Sequence, residues 1–106
     1  MTFHEISKRY QIPVEILREY QCLKSEGSSL YDEQDITHLS MLVTLHSIGF
    51  QPEEAVAYMR LVLDGEETRL QRLQILTQKR EETLKEIHKK ETQLDQLDYL
   101  RFQINP

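Results

Sequence analysis

The residues best suited to chemistry are cations interleaved with hydroxyls and aromatics. Lys8 and Arg9 are adjacent. Arg18 and Tyr20 share the next apolar-periodic stretch, and Lys24 follows it. A turn cluster, Ser25-Glu26-Gly27-Ser28-Ser29, then carries an acid and no base. Lys and Arg neutralise nucleic-acid phosphates, and serine hydroxyls and backbone N–H groups hydrogen-bond them. The charge balance opposes that chemistry. Residues 1–63 hold five bases (Lys8, Arg9, Arg18, Lys24, Arg60) and nine acids, a net −4, within a chain of net −5. A head built to grip DNA by itself is expected to be basic, so weak binding is expected.

Other chemistries find less support. His4, His38, His46 and His88 are scattered. His38 and His46 stand eight residues apart on one helix, too far for joint ligation, so no metal site is expected. The chain lacks a nucleophile–base constellation, a glycine-rich phosphate loop and a paired-carboxylate cleft, so no enzyme and no cofactor is expected. Cys22, the single cysteine, reads as a partly buried, inert thiol in preference to a redox or metal sensor. One cysteine cannot form an internal disulfide, no apolar run approaches the ~20 residues of a membrane span, and MTFHEISKRYQ lacks a signal peptide's apolar core. A cytoplasmic protein without membrane contact is the expectation.

Helices must position these residues. With 39% apolar and 29% charged residues, three glycines and three prolines, the chain is expected to fold as an all-α protein with room for long helices. The first helix spans residues 3–10, with Thr2 as N-cap, Glu5 at the capping-box spacing, and Phe3, Ile6 and Tyr10 on its inner face. The second starts at Pro13, a favoured first-turn residue, and runs to about residue 22. Val14 and Leu17, with Ile16 or Tyr20, form its apolar stripe. Gln11-Ile12 joins the two, which suggests a helix-turn-helix lacking the usual glycine. The third covers residues 33–48, capped by Asp32 and closed by Gly49, with Ile36, Leu39, Leu42, Val43 and Ile48 at helical spacing. The fourth starts at Pro52 with Glu53 and Glu54 in its first turn. It buries Ala55, Val56, Met59 and Val62 or Leu63.

The chain divides near Asp64-Gly65 into a head, residues 1–63, and a long helix, residues 64–106. Residues 66–103 contain no Gly and no Pro. Leu73, Leu76, Arg80, Thr83, Ile87, Lys90, Leu94 and Leu97 follow steps of three and four. A competing frame runs Leu70, Leu73, Thr77, Arg80, Leu84, Ile87, Glu91 and Leu94. The stripe must be covered, and the head is too small to cover it. A coiled coil with a second copy is the expected solution, with Leu70, Leu73, Leu76, Arg80, Leu84, Ile87, Leu94 and Leu97 as its dimerisation residues. Glu81–Lys85 and Glu86–Lys90 are expected as solvated flank pairs.

Four stretches carry a family resemblance. They are Phe3-His4-Glu5-Ile6-Ser7-Lys8, Ile12-Pro13-Val14-Glu15-Ile16-Leu17-Arg18-Glu19-Tyr20, Leu30-Tyr31-Asp32-Glu33-Gln34-Asp35-Ile36, and Leu45-His46-Ser47-Ile48-Gly49-Phe50-Gln51-Pro52-Glu53-Glu54-Ala55. In order and spacing the chain resembles a short MerR-type transcription regulator with no separate effector domain. The resemblance implies a winged helix-turn-helix head, and a homodimer whose long helices pair antiparallel to hold two heads on double-stranded DNA. It implies a DNA-binding set of Lys8, Arg9, Val14, Glu15, Arg18, Tyr20, Lys24, Ser28, Ser29 and Tyr31. Arg18 would contact a phosphate, or else be a solvated residue pairing with Glu15 or Asp32. Tyr20 would occupy a family tyrosine position, or else pack. The chain departs from the pattern where Glu19 replaces the other tyrosine, and where Gly27-Ser28-Ser29-Leu30-Tyr31 replaces Gly-Tyr-Arg-x-Tyr in a shortened wing. A dimeric protein-interaction module that has lost most DNA affinity is the alternative. A third reading is that the coiled coil leaves a pocket for a small-molecule effector, of unknown identity, near the Tyr58 face.

Overall fold

The computed structural model describes residues 2–24 and 31–105. The protein is all-α: α1 Phe3–Tyr10, α2 Val14–Leu23, α3 Glu33–Ser47, α4 Pro52–Asp64 and α5 Arg69–Ile104, with a 3-10 turn at Glu66–Thr68 before α5. Among the described residues there is no strand, and residues 25–30, where the wing is expected, lie outside them. The chain separates into two compact units, Met1–Arg69 and Leu70–Pro106. The 3-10 turn packs on α4, where the Thr68 hydroxyl lies 2.7 Å from the Leu61 carbonyl. The head therefore extends a few residues past Gly65.

The α1–α2 turn is built without glycine. Gln11 takes the left-handed conformation itself, at φ 54°, ψ 40°, a strained choice for a residue with a Cβ. Two contacts compensate. Ile12 is buried, and the Ser7 hydroxyl donates to the Ile12 carbonyl at 3.2 Å. Pro13 is the N-cap rather than the first helical residue, with extended ψ of 141°. Its carbonyl accepts from Ile16 N–H and Leu17 N–H.

Both helices bury less than their apolar residues suggest. On α1 only Ile6 is buried, and Tyr10 remains 41% exposed. On α2, Ile16, Leu17 and Tyr20 point inward. Val14, expected in the stripe, is 37% exposed at the first residue of the helix.

Asp32 caps α3 as expected. Its Oδ1 accepts from Asp35 N–H at 2.9 Å, and Asp32 N–H donates to Asp35 Oδ2 at 2.9 Å. This reciprocal pair is a capping box with aspartate in place of glutamate. The α3 inner face is Leu39, Leu42 and Leu45. Ile48 falls outside it, exposed at the C-cap. There Gly49 adopts φ +98°, Gly49 N–H donates to His46 O, and Phe50 N–H donates to Leu45 O. This Schellman ending returns the chain into the core, where Phe50 is buried and meets Tyr58 edge-on at 5.9 Å. Tyr58 is therefore held by packing in the core of the head. On α4 the buried set is Ala55, Tyr58 and Met59, and Leu63 is exposed.

The second unit is one helix. At 1.5 Å per residue, α5 with its 36 residues is about 54 Å long. It buries no residue. Along it Lys79 pairs with Glu82 and Asp98 with Arg101, both at the i,i+3 spacing.

Candidate nucleic-acid interface

Helix α2 packs on α1, α3 and α4, so its inner side is fixed by Ile16, Leu17 and Tyr20. The side left open presents Val14, Glu15, Arg18, Gln21 and Cys22, all exposed. Their spacing of three and four keeps them on adjoining rows of one helix face. Lys8 and Arg9 are exposed on the last turn of α1, just before the turn that leads into α2. Arg9 lies with its guanidinium 5.7 Å from the Tyr10 ring centroid. The face of an aromatic ring attracts a cation.

Glu19 does not join this face. Its carboxylate sits 2.7 Å from His46 Nε2, with 17% of its side chain exposed. The acid accepts, so Nε2 carries the proton. Glu19 thus fastens α2 to the last turn of α3, and its charge is directed away from the open side. Among the described exposed residues of α2, the one acid is Glu15.

Lys24, read from sequence as an available base, is also drawn inward. Its ammonium stands 3.1 Å from Asp35 Oδ2 and 4.4 Å from the centroid of the Tyr31 ring. Tyr31 is 4% exposed. Tyr20 is 3% exposed, and its hydroxyl donates to Asp35 Oδ1 at 2.5 Å. Because that proton is committed, His38 Nδ1, 3.2 Å away, is the donor to the phenol oxygen. Tyr20 and Tyr31 therefore serve the interior, and neither ring is available to a duplex. Ser28 and Ser29 lie outside the described residues.

Asp35 is the hub of this cluster. It receives the Tyr20 phenol, the Lys24 ammonium and the Asp32 N–H. Burial pushes its carboxyl up, but those three donors outweigh it and hold the group below the ordinary 3.8. Burial, then the Asp35 carboxylate, pushes the Tyr20 phenol well above the usual tyrosine range. Burial also raises Tyr31, partly opposed by Lys24. Deprotonation of either phenol beside Asp35 would set two anions together, so both phenols remain neutral.

Sequence reasoning missed Asp35, His38, His46 and Gln21. Asp35 was detectable, since it stands three residues after an N-cap aspartate. His46 was not, because its partner Glu19 is distant in sequence. Cys22, expected to be partly buried, is exposed. Among the described residues, no group of three or more His, Cys, Asp or Glu could hold a metal ion, and no helix is long and apolar enough to cross a membrane.

The chain matches no family model, no curated protein and no solved structure.

Proposed function

We propose that the chain is a homodimeric, DNA-binding transcription regulator of MerR-like plan, in which α2 is the reading helix. The observation that carries this reading is the open face of α2. Val14, Arg18 and Gln21 stand outward, with Lys8 and Arg9 on the adjoining end of α1, while Glu19 is turned away onto His46. Arginine and glutamine hydrogen-bond base edges, and a valine methyl suits thymine's. Lys8 and Arg9 would neutralise phosphates and set the helix's register. Two such heads, held apart by paired α5 helices, would read two half-sites of an inverted repeat.

The charge inventory sets the strength. With Lys24 committed to Asp35, the exposed cations on α1 and α2 of each head are Lys8, Arg9 and Arg18. Six such cations per dimer would give a logarithmic salt slope of about −5 at most, shallower than that of a tightly gripping repressor. Fluorescence anisotropy with duplex from the protein's own promoter, at two low salt concentrations, tests this. Binding with that slope supports the reading, and a folded protein that leaves the duplex free at micromolar concentration overturns it.

A second reading is a dimeric protein-interaction module. The head's net −4 and the outward Glu15 favour it, because an acid facing a phosphate opposes binding. Charge reversal of Arg18 separates the two. Arg18→Glu abolishes duplex binding under the first reading and has no duplex binding to abolish under the second.

A further inference from the structure

Asp35 does two separable things. As N3 of α3 it completes the capping box with Asp32, and it turns a cation away from the open face of α2. That cation is Lys24, the C-cap of α2, three residues past the exposed Gln21. Its stem therefore leaves the helix beside the row that holds Gln21, and a lysine stem is long and flexible. Its ammonium nonetheless points back, 3.1 Å from Asp35 Oδ2 and 4.4 Å from the Tyr31 ring centroid, with 15% of the side chain exposed. The carboxylate does not depend on the lysine. Asp35 Oδ1 receives the Tyr20 phenol, and Oδ2 also accepts from Asp32 N–H. A charge-assisted pair in a partly buried site is screened less by salt than a contact to an exposed phosphate, so a duplex competes poorly for this ammonium.

We propose that Asp35 withholds a phosphate contact: it fastens Lys24 inside the head and so sets a ceiling on the affinity of the α2 face for DNA. Removing the negative charge while keeping the shape of the side chain turns Lys24 outward and adds one cation per head. This inference rests on the proposed reading of α2 as a DNA-reading helix. It also separates two roles of Asp35 that stability alone does not. A residue that only braces α2 on α3 loses affinity for the duplex when it is weakened, whereas a withholding residue gains it.

The test uses the full chain and the promoter duplex, with fluorescence anisotropy across a salt series. Asp35→Asn binds more tightly at the lowest salt, and its logarithmic salt slope steepens from about −5 to about −7, as two more cations per dimer require. Lys24→Ala in the original chain leaves affinity and slope unchanged. Lys24→Ala added to Asp35→Asn returns the slope to about −5, which distinguishes release of the lysine from the mere loss of an acid. A second measurement needs no duplex. Limiting acetic anhydride, followed by mass spectrometry, acetylates Lys24 more slowly than the exposed Lys8 in the original chain, and Asp35→Asn brings the two rates together. Equal slopes in folded Asp35→Asn and the original chain, or a shallower slope in Lys24→Ala alone, overturn the withheld contact and leave the reading of α2 in place. Acetylation of Lys24 as fast as that of Lys8 in the original chain overturns it too. A duplex left free by the original chain and by Asp35→Asn alike overturns the reading of α2, and the withheld contact with it.

Discussion

The two units treat similar apolar residues in opposite ways. The head buries Ile6, Leu17, Leu39, Leu42 and Met59 completely. In α5, Leu70, Leu73, Leu84, Ile87, Leu94 and Leu97 all remain exposed. Short helices that cross one another can close a core from a few inward residues each. A single helix has nothing to fold back upon, whatever its sequence. The head is therefore stabilised within one chain, and α5 gains burial only from another surface. The polar groups divide in the same way. In the head, Asp35 and Glu19 are engaged by neighbouring elements, whereas Lys79–Glu82 and Asp98–Arg101 of α5 join residues one turn apart.

Truncation of a leucine in each unit should separate the two regimes most sharply. Leu42→Ala removes a fully buried side chain and is expected to cost about 3 kcal/mol, read as a loss of urea midpoint that is unchanged across protein concentrations. Leu84→Ala should leave the head's midpoint alone and appear only as weaker self-association. A concentration-dependent head, or a Leu84 variant that unfolds the head, would break the contrast.

The hub should show the next largest effect. Asp35→Ala removes the carboxylate that receives Tyr20, Lys24 and the Asp32 N–H, and is expected to cost about 2 kcal/mol. Asp35→Asn keeps part of the cap and should fall between. Acid should reach the same group. The folded carboxyl titrates below 3.8, so its contribution is present above the unfolded value and is lost as pH falls through the folded one. The stability difference between the original chain and Asp35→Ala should thus be flat from neutral pH to about 5 and shrink below about 4. A difference that persists unchanged at pH 2 would assign the effect to packing instead.

The smallest effect sharpens the picture of the turn. Gln11 is the one described non-glycine residue at positive φ. Gln11→Gly relieves the left-handed strain but loosens the unfolded chain, for an expected net gain of about 0.5 kcal/mol. Thermal melts of the two chains, compared directly, would detect it.

Much of the fold was legible because its signals are local. Asp32 before a periodic run, Gly49 after one, and Pro52 before two glutamates mark helix ends through backbone hydrogen bonding that spans a few residues. The faces were less legible. Val14, Tyr10 and Ile48 have the right types and spacing for burial yet lie exposed, since spacing assigns residues to a face without saying which face another helix covers. The candidate interface was legible in its cations and not in their availability. Lys24 and Arg18 look alike in sequence, but one is committed to Asp35 and the Tyr31 ring while the other faces outward.

By itself the sequence determined an all-helical chain, most of its helix caps, and a long helix that cannot bury its own apolar stripe. Those properties follow from backbone hydrogen bonding and apolar periodicity. Only the tertiary structure decided which charged groups point outward, because that depends on partners distant in sequence: Glu19 on His46, and Lys24 and Tyr20 on Asp35. A buried or half-buried charge goes to its nearest counter-charge, and the packing of α2 on α3 determines where that counter-charge stands.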